Sequence, residues 1–230
     1  VASWIDYWNG EHAIYVSERH KLLHARAIAA DILRHVPGRE AVVLDYGCGE
    51  ALYAEDVARK VGTLLLCDAA PAVRAKLAER VAALPQVRVL SPEEAAALED
   101  GSVDVIIVNS VLQYLDEVTL AALLAVWRAR LREGGRLVIA DVIPPDVSPV
   151  ADALALLRFA WRGGFLRDAV AGLIRTALSD YRALRGELGL SKHGEEDMIS
   201  LLSRHGFHAT RVQPNFGHNQ QRMTFVATPD

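Results

Sequence analysis

The chain has 230 residues, 51% of them hydrophobic and 23% charged, which fits one globular domain, or one with an insertion, and excludes a disordered segment. A net charge of −4 argues against a nucleic-acid surface as its main business. No signal peptide and no apolar run long enough to span a bilayer is legible, so a cytoplasmic enzyme is the expectation. Cys48 and Cys67 fall in or beside predicted strands and are expected to be small buried residues, not disulfide partners or metal ligands.

Residues 1–16 concentrate aromatics: Trp4, Tyr7, Trp8 and Tyr15. Rings at this density suit a helix docked on the domain, and Trp8 and Tyr15 are candidates to cover a ligand. Ser17 and Glu18 read as an N-cap and first turn, and Pro37-Gly38 as the helix end. Leu22, Ala25, Ala29, Leu33 and Val36 recur at helical spacing and predict the buried stripe. His20 and His24 lie one turn apart and could share a metal; with no third ligand in view, a solvated face and no metal are expected.

The stretch Val42-Val43-Leu44-Asp45-Tyr46-Gly47-Cys48-Gly49-Glu50 reads as a buried parallel strand, a tight turn and the entry to a helix over 51–61. A dinucleotide fingerprint needs a third glycine where Leu52 stands, and no G-x-x-x-x-G-K is present. The loop therefore suits a ligand with a nucleoside but no pyrophosphate. Thr63 to Asp68 is a second apolar run ending in an acid, and Asp68 follows Asp45 by 23 residues, near the interval of a ribose-binding carboxylate. Such an acid offers two acceptor oxygens to two adjacent hydroxyls, although strand-end acids also cap helices. Pro71 opens a helix with Val73, Leu77, Val81 and Leu84 inward. Val87–Leu90 is a third strand and Asp104–Asn109 a fourth, its β-branched run fitting a sheet covered on both faces. A helix over 117–131, a Gly134-Gly135 turn and a strand over 137–141 follow. Asn109 and Gln113 are neutral, able to orient an acceptor or to cap a turn, but not readily to take a proton.

Asp45-x-Gly47-x-Gly49 after an apolar strand resembles motif I of the class I S-adenosylmethionine-dependent methyltransferases. The strand–helix order across residues 40–143 resembles theirs too, most nearly the small-molecule type similar to ubiquinone and menaquinone methyltransferases. The resemblance implies a Rossmann-like α/β fold, a doubly wound seven-stranded sheet with its last strand antiparallel and a helical lid inserted. It implies S-adenosyl-L-methionine as cofactor and S-adenosyl-L-homocysteine as product. Asp45, Gly47 and Gly49 would then hold the methionine part, directly or through water, and Asp68 the ribose, with Ala69 a further cofactor contact. Asn109, Gln113 and Tyr114 would lie beside the methyl group, with Asp141 lining the pocket. An acid commonly meets adenine after the third strand; here that position is Pro92, and Glu93, Glu94 or a backbone group must substitute.

Residues 144–190 break the strand–helix rhythm and are expected to form an acceptor lid. Leu166, Val170, Leu173, Ala177, Tyr181 and Leu184 mark an apolar stripe, with Arg167, Arg175 and Arg182 on another face. Residues 151–190 hold six arginines against three aspartates and one glutamate, a net of +2, so the segment is locally basic. It is an ordinary amphipathic lid or one meeting an acidic or membrane-borne acceptor through Trp161 and Phe165. A helix from 194 to 204 precedes two strands, 208–212 and 222–227, whose joining loop, Pro214 to Gln220, is expected at the carboxyl end of the sheet. That makes His218 the first candidate general base and His193 the second, with Asn215 an acceptor contact.

The chain thus divides into a covering segment 1–36, a cofactor-binding core 37–143, a lid 144–190 and a closing unit 191–230. The expected activity is methyl transfer to a small molecule on O, N or C, the acceptor being phenolic, quinone-type or lipid. No metal and no nucleic-acid partner are expected. The alternatives are a non-catalytic S-adenosylmethionine-binding module and, less favoured without the third glycine, a nucleotide-dependent oxidoreductase.

Overall fold

The structure, a computed structural model, describes residues 15–177 and 190–230. Trp8 and, in the predicted stripe, Tyr181, Arg182 and Leu184 lie outside the described residues.

Helix α1, Glu18–Leu33, begins where the sequence says, with the Ser17 side chain accepting from His20 N. Its inward face is the predicted one in part, since Ala25 and Ala29 are buried and Leu33 and Val36 pack half-buried against the core. Leu22 is exposed, while His20, Ala25, Ile28, Ala29, Asp31 and Ile32 are buried. The reason is what the helix packs on. Asp31 Oδ2 accepts from Gly217 N at 2.6 Å, and His20 Nδ1 accepts from Val16 N at 3.3 Å, so polar residues turn inward to bind backbone groups.

Strands β1 (Val42–Tyr46), β2 (Thr63–Cys67), β3 (Val87–Leu90), β4 (Val103–Asn109), β5 (Leu131–Val142), β6 (Phe207–Val212) and β7 (Met223–Pro229) form one sheet in the order β3-β2-β1-β4-β5-β7-β6. The first five are parallel, and β7 runs antiparallel between β5 and β6. Helices α2 (Ala54–Ala58), α3 (Pro71–Val81), α4 (Pro92–Ala96) and α5 (Glu117–Arg130) supply the crossovers. Strand order reverses between β1 and β4, the point at which open α/β sheets bind ligands outside the strands' carboxyl ends.

Successive residues of a strand serve opposite faces. Leu44, Ile106 and Val108 pack with Leu124 and Trp127 of α5, whereas Val43, Val105 and Ile107 pack with Ile28 and Ile32 of α1. Each such side chain, fully buried, contributes roughly 1.5–3 kcal/mol relative to exposure. Cys48 and Cys67 are free and buried. Helix α2 is shorter than the predicted 51–61 because Gly49 and Ala51 are left-handed and delay its start.

Among the described residues the insertion holds two helices. Helix α6, Pro149–Gly163, is capped by Ser148, which accepts from Ala151 N, and ends at the left-handed Gly164 (φ 72°). Helix α7 spans Leu166–Ala177. Its predicted stripe is turned: Ala169 is buried and Val170 exposed, on the side of Arg167. Helix α8, Glu195–Arg204, leads into β6. No helix among the described residues is long and apolar enough to cross a membrane.

Candidate functional site

The turn leaving β1 is built on three left-handed residues, Gly47 (φ 76°), Gly49 (φ 55°) and Ala51 (φ 38°). Gly47 N and Cys48 N both donate to Cys67 O, at 2.8 and 3.0 Å, which folds the loop over the end of β2. At Gly47 a Cβ would come within 2.3 Å of Val111 Cγ2, so only glycine lets the chain leaving β4 pack there. At Gly49 a Cβ would meet nothing within 4 Å; that side of the loop is open.

Two acids frame the turn. Asp68 Oδ2 accepts from Gly49 N at 2.9 Å and Oδ1 from Ala70 N at 2.8 Å, which leaves lone pairs on each oxygen for a further donor. Arg74 donates to the Asp68 and Ala69 carbonyls and steadies this corner. Asp45 is buried and accepts from the Tyr53 hydroxyl. Burial raises its carboxyl to about 7, against the Tyr53 hydrogen bond and with the help of repulsion from Asp68. Tyr15 lies close enough for the Glu50 charge to add to the burial that pushes its phenol up to about 12.

After β3, Ser91 caps α4 in a capping box with Glu94, and Pro92 takes the first helical position. Glu94 is thereby engaged with Ser91 N at 2.7 Å. Glu93 accepts from Ser91 Oγ at 2.6 Å, and its charge, like that of Asp68, reaches Tyr46 and Cys67 at the strand ends.

A second group of residues gathers at the ends of β4 and β5. A cavity of about 130 Å³ there is bordered by His24, Asn109, Asp141, His218, Asn219 and Arg222, among others. Ser110 (φ 58°) and Asp141 (φ 61°) are left-handed without being glycine, and Ser110 Oγ donates to Asp141 Oδ2 at 2.7 Å. Arg222 donates to Asp141 at 3.1 Å and to Asp152 of α6 at 3.2 Å, and Asn219 donates to Asp152 at 2.7 Å. One arginine thus ties the sheet to the insertion. Asn109 Oδ1, His24 Nδ1, His218 Nδ1 and Arg222 Nε are buried without a partner among the described residues.

His20 and His24 are not on a solvated face. With His218 they form a triangle of rings 6.1–6.2 Å apart. Phe159 stacks on His218 at 4.9 Å and Phe165 on His20 at 5.1 Å. Burial, then neighbouring imidazoles, holds His24 and His218 down to about 4, so both are neutral near pH 7. Even so, no group of three His, Cys, Asp or Glu among the described residues is arranged to hold a metal ion.

The predicted site residues therefore part company. Asp45, Gly47, Gly49, Asp68 and Ala69 lie together at β1 and β2, and Asn109 and His218 share the cavity. Gln113 is buried, its carbonyl accepting from Ser191 N, and the Tyr114 phenol acts electrostatically on Arg222. Asn215 is spoken for by the fold: Oδ1 accepts from Asp141 N and Thr224 Oγ1, and Nδ2 donates to the Phe216 and Asn219 carbonyls. It shapes the 214–220 loop and is not free to contact an acceptor. His193 is tied by its backbone to Ile143 O and feels Asp197 and Glu117, outside the cavity lining. Trp161 stands exposed on the outer side of α6. Tyr53, Ser110 and Arg222 carry no mark of a site in the sequence, whereas Asp152 stands out as a lone acid in an apolar helical stretch.

Residues 44–139 match the family described as a methyltransferase domain. No curated protein sequence matches the chain. Solved structures share its fold at low identity. A SAM-dependent methyltransferase from Aquifex aeolicus is 18% identical over 93% of this chain and 97% of its own, with a TM-score of 0.57. Magnesium protoporphyrin IX methyltransferase from Synechocystis PCC 6803, with bound SAH, is 16% identical over 97% and 92%, with a TM-score of 0.59. The YcgJ protein from Bacillus subtilis is 16% identical over 83% and 71%, with a TM-score of 0.58. With the Asp45-x-Gly47-x-Gly49 turn closing β1 of a sheet in this strand order, the chain is similar over residues 44–139 to the methyltransferase-domain family and shares its fold with these methyltransferases.

Proposed function

We propose that the protein transfers a methyl group from S-adenosylmethionine to a small-molecule acceptor. Asp45, Gly47, Gly49, Asp68 and Ala69 serve the donor, and Asn109, Gln113, Tyr114 and His218 the acceptor. The observation that carries this reading is the adjacency of the two clusters. Val111, two residues beyond Asn109 in the cavity, is the residue packed on Gly47. The first cluster fits a cationic nucleoside: its loop is open at Gly49, and Asp68 keeps lone pairs for hydroxyls. Asp45 supplies a buried carboxyl that a positive charge would draw into its ionised form.

When bound, the donor supplies a methyl carbon on a positively charged sulfur, and the acceptor's electron pair forms the new bond as the carbon–sulfur bond breaks toward sulfur. The protein's part is position and exclusion of water. Asn109 Oδ1, buried without a partner among the described residues, can accept from the N–H of an amine acceptor and orient it without taking its proton. His218 is neutral at pH 7 but a poor proton sink. With its imidazolium held to about 4, removing the proton of an ordinary phenol, pKa about 10, is uphill by roughly 8 kcal/mol. The acceptor we favour arrives already nucleophilic, as a carboxylate, an acidic phenol or enol, or a neutral amine, with His218 as its hydrogen-bond partner.

Incubation with methyl-labelled S-adenosylmethionine and a panel of these compounds beside ordinary phenols tests the reading. Label on the anionic or amine acceptors is expected, with His218→Gln lowering kcat roughly tenfold and leaving S-adenosylhomocysteine affinity unchanged. Label on ordinary phenols alone would overturn this acceptor class.

A further inference from the structure

The insertion presents to solvent the faces that an amphipathic helix ordinarily hides. On α6, Asp152 reaches inward to Asn219 and Arg222, Phe159 stacks on His218, and Ala160 is fully buried. At 100° per residue the opposite side carries Val150, Leu154 and Trp161, which are 68, 47 and 75% exposed. Exposed Arg158 and Arg162 border that side. Helix α7 repeats the pattern. Ala169 and Gly172 face inward, while Val170 and Ile174, 46 and 60% exposed, share the outer side with Arg167. Where the helices meet, a cavity of about 530 Å³ is lined by Trp161, Gly164, Phe165, Leu166, Arg167 and Asp168.

We propose that the outer face of α6 and α7 docks on the surface of an anionic lipid bilayer. Apolar side chains flanked by basic ones are what an interfacial helix needs. The former enter the headgroup boundary, tryptophan settles at headgroup depth, and arginines meet phosphate. The charge points to this occupant. Against a chain of net charge −4, this face holds Arg158, Arg162 and Arg167 with only Asp168 opposing them, and none of the three arginines has an ion-pair partner among the described residues. A second copy docked about a twofold axis would bring arginines against arginines. The 530 Å³ cavity, apolar with Arg167 at its side, gives the face a recess for one amphiphile.

Sedimentation of the whole chain with phosphatidylcholine vesicles, with and without phosphatidylglycerol, tests the proposal. Binding to the anionic vesicles is expected, weaker by roughly tenfold or more on the neutral ones. Arg158→Gln/Arg162→Gln/Arg167→Gln should weaken it by a similar factor, and Trp161→Ser/Ile174→Ser should abolish it. These positions are all exposed, so both variants should keep the wild-type Tm. Failure to bind anionic vesicles, or binding indifferent to these changes, would overturn the proposal. So would a concentration-dependent dimer dispersed by Trp161→Ser/Ile174→Ser, which would assign the face to a second copy.

Discussion

Ser110 and Asp141 follow the last paired residues of the adjacent parallel strands β4 and β5 in the same left-handed conformation, and the Ser110 hydroxyl donates to the Asp141 carboxylate at 2.7 Å. Such a backbone costs about 1–2 kcal/mol per non-glycine residue, so its surroundings must impose it. They do: Asp141 N donates to Asn215 Oδ1, and Arg222 holds the carboxylate. Asp141→Ala would leave Arg222, largely buried, with Asp152 alone. A loss of about 3 kcal/mol is expected, read from the urea midpoint. Ser110→Gly removes one hydrogen bond but relieves the strain, so its change should stay within about 1 kcal/mol.

Gly47 and Gly49 have similar backbones but different surroundings. Gly47→Ala drives a methyl into Val111, whereas Gly49→Ala enters open space with only a strained φ. We expect a loss of roughly 3 kcal/mol for the first and about 1 kcal/mol for the second by thermal unfolding. A bound cofactor would reverse the order of functional harm at Gly49, where the added methyl meets the ligand.

Asp45 sets one pH dependence. Its folded value, about 7, lies above the ordinary 3.8. Its contribution to stability is therefore complete below about pH 4 and is lost as pH rises through about 7. Asp45→Asn should remove that loss, so the variant-minus-wild-type stability should rise on the order of 4 kcal/mol between pH 4 and 8 in urea titrations.

His24 sets the opposite one. Burial holds it to about 4, below the ordinary 6.5. The stability of its neutral form is present above about pH 6.5 and lost as pH falls through about 4. His24→Phe keeps an aromatic ring beside Tyr15 and His218. The variant should gain on wild type by on the order of 3 kcal/mol as pH falls from 7 to 4. Because the Asp45 and His24 effects oppose each other over much of this range, variant differences carry the test better than the wild-type curve.

What the sequence made legible was what depends on local order. The apolar run into Asp45, the glycines after it, Asp68 at the end of the next run and the strand–helix alternation were readable, since each rests on neighbours in the chain. What escaped it depends on partners far along the chain. His20, His24 and Asp31 face inward because residues 216–218 come to meet them. Arg222 looks like any strand-entry arginine until Asp141 and Asp152 converge on it. Asn215 and Trp161 have side chains suited to binding, but the hydrogen bonds of one and the outward position of the other follow from tertiary packing.

The most direct test of the central claim is calorimetric titration of wild type and Asp68→Ala with S-adenosylmethionine and S-adenosylhomocysteine. Binding of both, weakened roughly tenfold or more by the substitution, is the predicted result. Binding of neither by folded wild-type protein would contradict the account.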